Sequence, residues 1–292
     1  MTRELWNNDI EILFLKKSLE NFLPVEKLFY KINGKYYVYI PKNIKDVNIT
    51  LQSRNTLIGK FTEKWVKDLF EPIASKYNLF AINGVICEEI GLSKRSSADL
   101  ALCTKNEIYQ KPEDIKIIFE IKMSIISNYM LDMDNNIHYV GDYKTHKAIP
   151  SLLRSDSMLK AIGKAVNIRV SSNKSRNIPI IVIGNSPITN EYVKKVNFLK
   201  QAGIIHHFLS LNPDIYNSNL ESISNNAFIT VDSIKSLENI IDKVINNNFY
   251  YFSSMIEKNK LGKIISISNK ENTDILKAEK FLSLLDEVIN DE

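Results

Sequence analysis

Glu120 and Lys122 stand two residues apart inside an otherwise apolar stretch of this 292-residue chain, IKIIFEIKMSII. Alternate side chains of a β-strand share a face, about 7 Å apart along the chain, so the two charges would project together. Burying a carboxylate and an ammonium in an apolar strand is costly unless each has a partner. A metal ion satisfies the carboxylate, and its field gives the lysine a task. A second acid, Asp99, starts the strand-like run ADLALCT directly after the turn SKRSS. Phosphodiester hydrolysis uses such a set, because a divalent cation must stabilise an attacking hydroxide and a departing alkoxide beside an anionic phosphate. Mg2+ prefers oxygen ligands, typically one or two carboxylates with water and substrate phosphate. A lysine beside them can orient or help deprotonate the attacking water, or stabilise the pentacovalent phosphate.

An acidic-x-Lys triplet alone is a weak signal, and the chain has two others, Asp114-Ile115-Lys116 and Asp142-Tyr143-Lys144. The first sits in the loop-like KPEDIK and the second in a polar stretch around Gly141, so neither has apolar flanks. Glu120-x-Lys122 is the single Glu-x-Lys in the sequence. Ile117, Ile118, Phe119, Ile121 and Met123 around it argue against a water-facing edge strand.

The elements that must position these residues follow from periodicity. Residues 6–22 have apolar residues at roughly helical spacing (Ile10, Leu13, Phe14, Leu19, Phe22), and Asn33-Gly34 between two β-rich runs predicts a hairpin turn. Thr56 to Tyr77 reads as a helix with a Leu57, Phe61, Trp65 and Leu69 stripe. Strands are predicted at 79–90, 98–104 and 116–126, and 91–97 is a basic turn. Segment 127–150 is long, polar and aromatic, which suggests a functional loop or insertion. A helix at 157–170 follows, with Asp156 or Ser157 as a natural N-cap. The uninterrupted apolar run 178–183 predicts a strand covered on both faces. A helix at 190–202, a last strand at 204–211, and helices at 231–247 and 274–290 complete the chain. This order describes an α/β core with one central sheet.

Asp99 followed by Glu120-Ile121-Lys122, on consecutive strands after a helix, resembles the PD-(D/E)XK nuclease superfamily, best known from type II restriction endonucleases. Ser97-Ala98 stand where the family motif often has a proline, a departure that leaves the aspartate in place. The resemblance implies a restriction-endonuclease-like core with a central mixed β-sheet flanked by helices over roughly residues 56–211. Residues 1–55 would be an N-terminal accessory region of helix and hairpin, and 212–292 a mainly helical C-terminal region. Asp99 and Glu120 would bind Mg2+, and Lys122 would assist the nucleophile. Many members carry an acid on the first core helix, here Glu63, which lies off the helix stripe and faces either a site or solvent. The implied activity is that of a type II restriction endonuclease cutting double-stranded DNA as a homodimer, since palindromic targets favour symmetric pairs. A junction-resolving or repair nuclease and a catalytically inert DNA-binding module are the alternatives.

Lys94 and Arg95 in the turn before Asp99 suit either the DNA backbone or a solvated hairpin turn. Arg154, Lys160 and Lys164 are candidate phosphate contacts, and family analogy, in which the helix after the Glu-x-Lys strand borders the site, favours Lys160. The four histidines lack a helix-face ligand spacing, no G-x-S-x-G elbow is present, and no P-loop signals a nucleotide cofactor. With 38 basic and 34 acidic residues the net charge is +4, which permits nucleic-acid binding without arguing for it. Cys87 and Cys103 form neither a disulfide framework nor a zinc pattern and read as buried apolar residues. No signal peptide or membrane-length apolar run appears, so the expectation is a soluble cytoplasmic protein with no membrane partner.

Overall fold

The computed structural model describes residues 4–21, 24–44, 51–214, 227–247, 250–251 and 256–290. Two compact units divide the chain, residues 1–251 and residues 252–292. The first opens with helix α1 (Asn8–Asn21) and the single turn α2 (Val25–Leu28). The hairpin β1 (Tyr30–Ile32) and β2 (Lys35–Tyr37) turns on Asn33 and Gly34, whose φ values of 47° and 77° match the turn predicted there. Phe22, part of the N-terminal stripe, lies outside the described residues.

Helix α3 (Gln52–Ser75) leads into β3 (Phe80–Val85), β4 (Ala98–Cys103) and β5 (Ile115–Ile121). After β6 (Asn128–Leu131) and β7 (Ile137–Gly141) come α4 (Ser155–Ser171), β8 (Ile180–Gly184), α5 (Asn190–Gln201) and β9 (His207–Ser210). The strand β10 (Phe228–Thr230) and helix α6 (Ile234–Asn246) end this unit. In the second unit, α7 (Lys258–Ser268) precedes α8 (Asp274–Asn290). Among the described residues no helix is long and apolar enough to cross a membrane.

The architecture is α/β with a mixed central sheet flanked by helices. Its strand order is β10-β9-β8-β5-β4-β3. β3, β4 and β5 form an antiparallel meander, whereas β8, β9 and β10 add in parallel to the far side of β5. Residues of β5 divide between the two faces. Ile117, Phe119 and Ile121 enter the core formed with α3 and the N-terminal residues, and Ile115 and Ile118 enter the core under α4 and α5. Ile180–Ile183 in β8 are fully covered, as an unbroken apolar run requires.

Several boundaries differ from the sequence reading. Of the two expectations for segment 127–150, loop or insertion, it is the insertion that describes it: the segment supplies β6 and β7 to a second, antiparallel sheet of order β1-β2-β6-β7. The strand predicted to reach Ile126 leaves the ladder after Ile121, although its residues stay apolar. Beyond Lys122, side chains take over the backbone groups. Asn185 receives the Ser124 N–H and donates to the Ser124 carbonyl, while Glu11 accepts from the N–H groups of Ile126 and Ser127. A side-chain partner fixes a backbone group as well as a neighbouring strand does, but directs the chain elsewhere. Helix α4 is entered through Arg154 without a side-chain cap, and Asp156 falls in the first turn, where its charge favours the helix dipole. Cys87 and Cys103 are free and buried.

Among the described residues Glu11 is the most deeply buried charged group, with 1% of it exposed. Its carboxylate accepts four hydrogen bonds: from Trp6 Nε1 (2.9 Å) and Ile126 N (2.7 Å) on Oε1, and from Ser127 N (3.1 Å) and the Tyr129 hydroxyl (3.0 Å) on Oε2. Burial pushes the carboxyl up to about 7 against the downward pull of these donors. The folded chain therefore takes up a proton between the unfolded value of 4.5 and about 7, and folding stability from this group falls as pH rises through that window. Glu11→Gln removes the titration. The stability advantage of the wild type over Glu11→Gln should shrink by up to roughly 3 kcal/mol between pH 4.5 and 7.5, measured by urea denaturation. A pH-independent gap would contradict the assignment.

Candidate active site

Asp99, Glu120 and Lys122 meet at the end of β5. Extending the β4–β5 register one residue past Leu100↔Phe119 sets Asp99 opposite Glu120. Asp99 Oδ2 accepts a 2.7 Å hydrogen bond from the Ile121 N–H, which fixes the carboxylate. Lys122 Nζ donates to Glu120 Oε1 at 2.5 Å and stands 3.6 Å from Asp99 Oδ2. Glu120 lies on the face opposite Phe119 and Ile121, beneath α4, and only 6% of it is exposed.

A fourth charge completes the cluster. Lys164 Nζ lies 3.1 Å from Asp99 Oδ1 and 2.5 Å from Glu120 Oε2. Helix α4 buries Met158, Ala161, Ala165 and Ile168, so Lys164 leaves the helix at the margin of its packed face and reaches across the sheet end. Lys160, one turn earlier, instead pairs with Asp156 at 3.1 Å on the surface. Arg154 pairs with the same carboxylate at 3.3 Å. Of Arg154, Lys160 and Lys164, grouped by sequence, the fold brings only Lys164 to the acids. Lys94 and Arg95 remain exposed in the turn before β4, with Lys94 Nζ 5.9 Å from the centre of the Tyr109 ring.

Glu63 is half-buried on α3 and within electrostatic reach of all four groups. Burial and then the charge of Asp99 raise its pKa, against Lys122 and Lys164. Glu120 behaves alike: burial, then Asp99, push its carboxyl up, and the two lysines offset this only in part. Burial also works against the charge on Lys164, but Asp99 and Glu120 together outweigh it and raise its pKa. Glu120 Oε2 is buried and meets the Lys164 ammonium as an ion pair at 2.5 Å. Among the described residues no three His, Cys, Asp or Glu side chains are grouped to hold a metal ion. The Asp99–Glu120 pair nevertheless fits Mg2+, which takes one or two protein carboxylates and fills its shell with water and phosphate.

Neutral residues hold this geometry, and two of them, Asn83 and Ser151, were not singled out from the sequence. Asn83 on β3 donates from Nδ2 to the Glu63 carbonyl at 3.1 Å and the Asp99 carbonyl at 2.8 Å, joining α3 to β4 behind the acids. The signal was a polar residue interrupting the apolar run of 79–90. Asn185, fully buried, grips Ser124 from the end of β8. Ser151 donates to the Lys122 carbonyl at 2.6 Å and accepts from the Asn185 N–H at 3.1 Å, and its φ of 51° is left-handed. A non-glycine in that region costs roughly 1–2 kcal/mol, so its contacts must hold it there. The Gly184-Asn185-Ser186 turn is thus the bracket beneath Lys122.

The remaining candidates have structural partners. Asp114 is held by Thr104 and Lys105, and Asp142 caps the turn at Lys144. His146 stacks on Tyr39 at 4.3 Å, and His138 pairs with Asp132 at 2.6 Å. No family profile, curated protein or solved structure matches this chain.

A side chain at position 184 would break the bracket. A Cβ there would stand 2.4 Å from Cγ of the fully buried Leu152 and 2.9 Å from Ser151 Oγ. Gly184→Ala should lower folding stability by about 1–3 kcal/mol in chemical denaturation, the usual cost of overpacking. An unchanged stability would show that the Ser151–Leu153 turn yields freely.

Proposed function

We propose that the chain is a Mg2+-dependent endonuclease of the PD-(D/E)XK type that cuts double-stranded DNA at a specific sequence. The observation that carries this reading is the convergence of Asp99, Glu120 and Lys122 on one point at the end of the central strand. A meander of three strands after a long helix, with the acids on its second and third strands and a parallel strand beyond, supports it as well.

Asp99 and Glu120 would hold the Mg2+ ion, which when bound supplies positive charge to the scissile phosphate and acidifies water. Lys122 keeps its ammonium beside both carboxylates, where it positions the attacking water and offsets the charge gathering on the phosphate. Ile121 N–H holds Asp99 at a fixed angle, which preorganises the pair before substrate arrives. Glu63 adds negative charge at the rim and strengthens the attraction for a cation. A palindromic target would be read by a symmetric pair of chains.

Replacing Glu120 or Lys122 by Ala should reduce cleavage of plasmid DNA by at least about 100-fold while DNA binding persists, consistent with losing a positioned acid–base or electrostatic group. Activity retained by both variants would refute the site. The same digest tests the substrate. Discrete fragments support sequence-specific cutting, cleavage confined to branched DNA redirects the reading to a junction-resolving nuclease, and no cleavage leaves a DNA-binding module. EDTA should stop the reaction, and its persistence without a divalent ion would contradict the metal role.

A further inference from the structure

From the contacts of its ammonium we infer that Lys164 is a built-in counter-ion standing at the divalent-cation position between Asp99 and Glu120, and that metal binding must displace it. This rests on the metal-dependent reading above and extends it to how the site is loaded. The two lysines divide the four carboxylate oxygens between them. Lys122 takes Glu120 Oε1 and lies near Asp99 Oδ2, while Lys164 takes Asp99 Oδ1 and Glu120 Oε2. Both lysines reach one oxygen of each acid, and Lys164 holds Asp99 the more closely, at 3.1 Å against 3.6 Å for Lys122.

Glu120 Oε2 is buried and meets the Lys164 ammonium at 2.5 Å, so a cation at this oxygen would have to take that ammonium's place. A divalent ion and an ammonium repel each other, so they cannot share the gap between the same two oxygens. Lys164 has room to withdraw, because the adjacent Gly163 is exposed, with open space where a Cβ would be. Lys122 belongs to the strand continuation, tied through its N–H to Ile183 at 2.7 Å and through its carbonyl to Ser151 at 2.6 Å. Before the metal arrives, Lys164 offsets the repulsion of two neighbouring carboxylates. Once the metal is bound, that task passes to the ion.

Calorimetric titration of the full chain with Mn2+, without DNA, tests the exchange. Lys164→Met should bind Mn2+ at least about tenfold more tightly than wild type, equivalent to about 1.4 kcal/mol. In EDTA it should melt below wild type, and Mn2+ should raise its Tm by more. Equal or weaker Mn2+ binding by Lys164→Met, with Asp99→Asn abolishing binding, overturns the inference and leaves the metal site standing. Absence of Mn2+ binding in both wild type and Lys164→Met overturns the metal reading and the inference together. A second measurement needs no variant: amine acetylation of wild type, read by mass spectrometry, should modify Lys164 faster with Mn2+ than with EDTA. Unchanged or slower modification overturns the exchange.

Discussion

Two carboxylates set side by side in a largely enclosed place repel, and that repulsion organises this protein around the end of β5. Asp99 and Glu120 oppose each other across two strands, and burial adds to the cost of the charge on Glu120. The fold answers with cations from independent elements: Lys122 from the continuation of the same strand and Lys164 from the helix packed over it. Hydrophobic burial alone would favour apolar residues at these positions. A fold that retains a carboxylate pair here forgoes stability, a cost that the proposed metal site would account for.

The scaffold delivers this arrangement through a change of strand direction. β5 has an antiparallel neighbour on one side and a parallel one on the other. Asp99 and Glu120 stand at that junction, on the antiparallel pair, with Lys164 reaching them from the helix that leads into the parallel strand. The backbone leaving β5 is then taken over by side chains: Asn185 holds Ser124, Ser151 holds the Lys122 carbonyl, and Glu11 holds Ile126 and Ser127. These bonds bend the chain out of the central sheet into β6 and keep Lys122 facing the acids. The N-terminal helix, which looks peripheral in sequence, thus reaches within a few residues of the site through one carboxylate.

The charge pattern also separates two roles that the same residue type can fill. Lys122 continues the strand that carries Glu120, whereas Lys164 reaches the acids from the helix packed over them. In the proposed nuclease reading, one lysine serves the reaction and the other guards the acids until a divalent ion replaces it. Glu63, more exposed than Glu120, sets the electrostatic background for both.

The sequence alone determined the strand carrying Glu120 and Lys122, the second acid at the start of β4, and the α/β order of elements. Period and burial cost are local, and they are written in residues such as Phe119 and Ile121. The Asn33-Gly34 turn was legible for the same reason, since it depends on the φ of two adjacent residues. What only the tertiary structure decided is which charges meet. Lys160 and Lys164 are one turn apart and indistinguishable by pattern, yet one pairs with Asp156 and the other with Asp99 and Glu120. The end of β5 and the pairing of 127–150 into a second sheet depended on Glu11 and Asn185, residues 115 and 61 positions away from the groups they hold. No local rule carries such partners, because a backbone group accepts whichever donor or acceptor the folded chain brings to it.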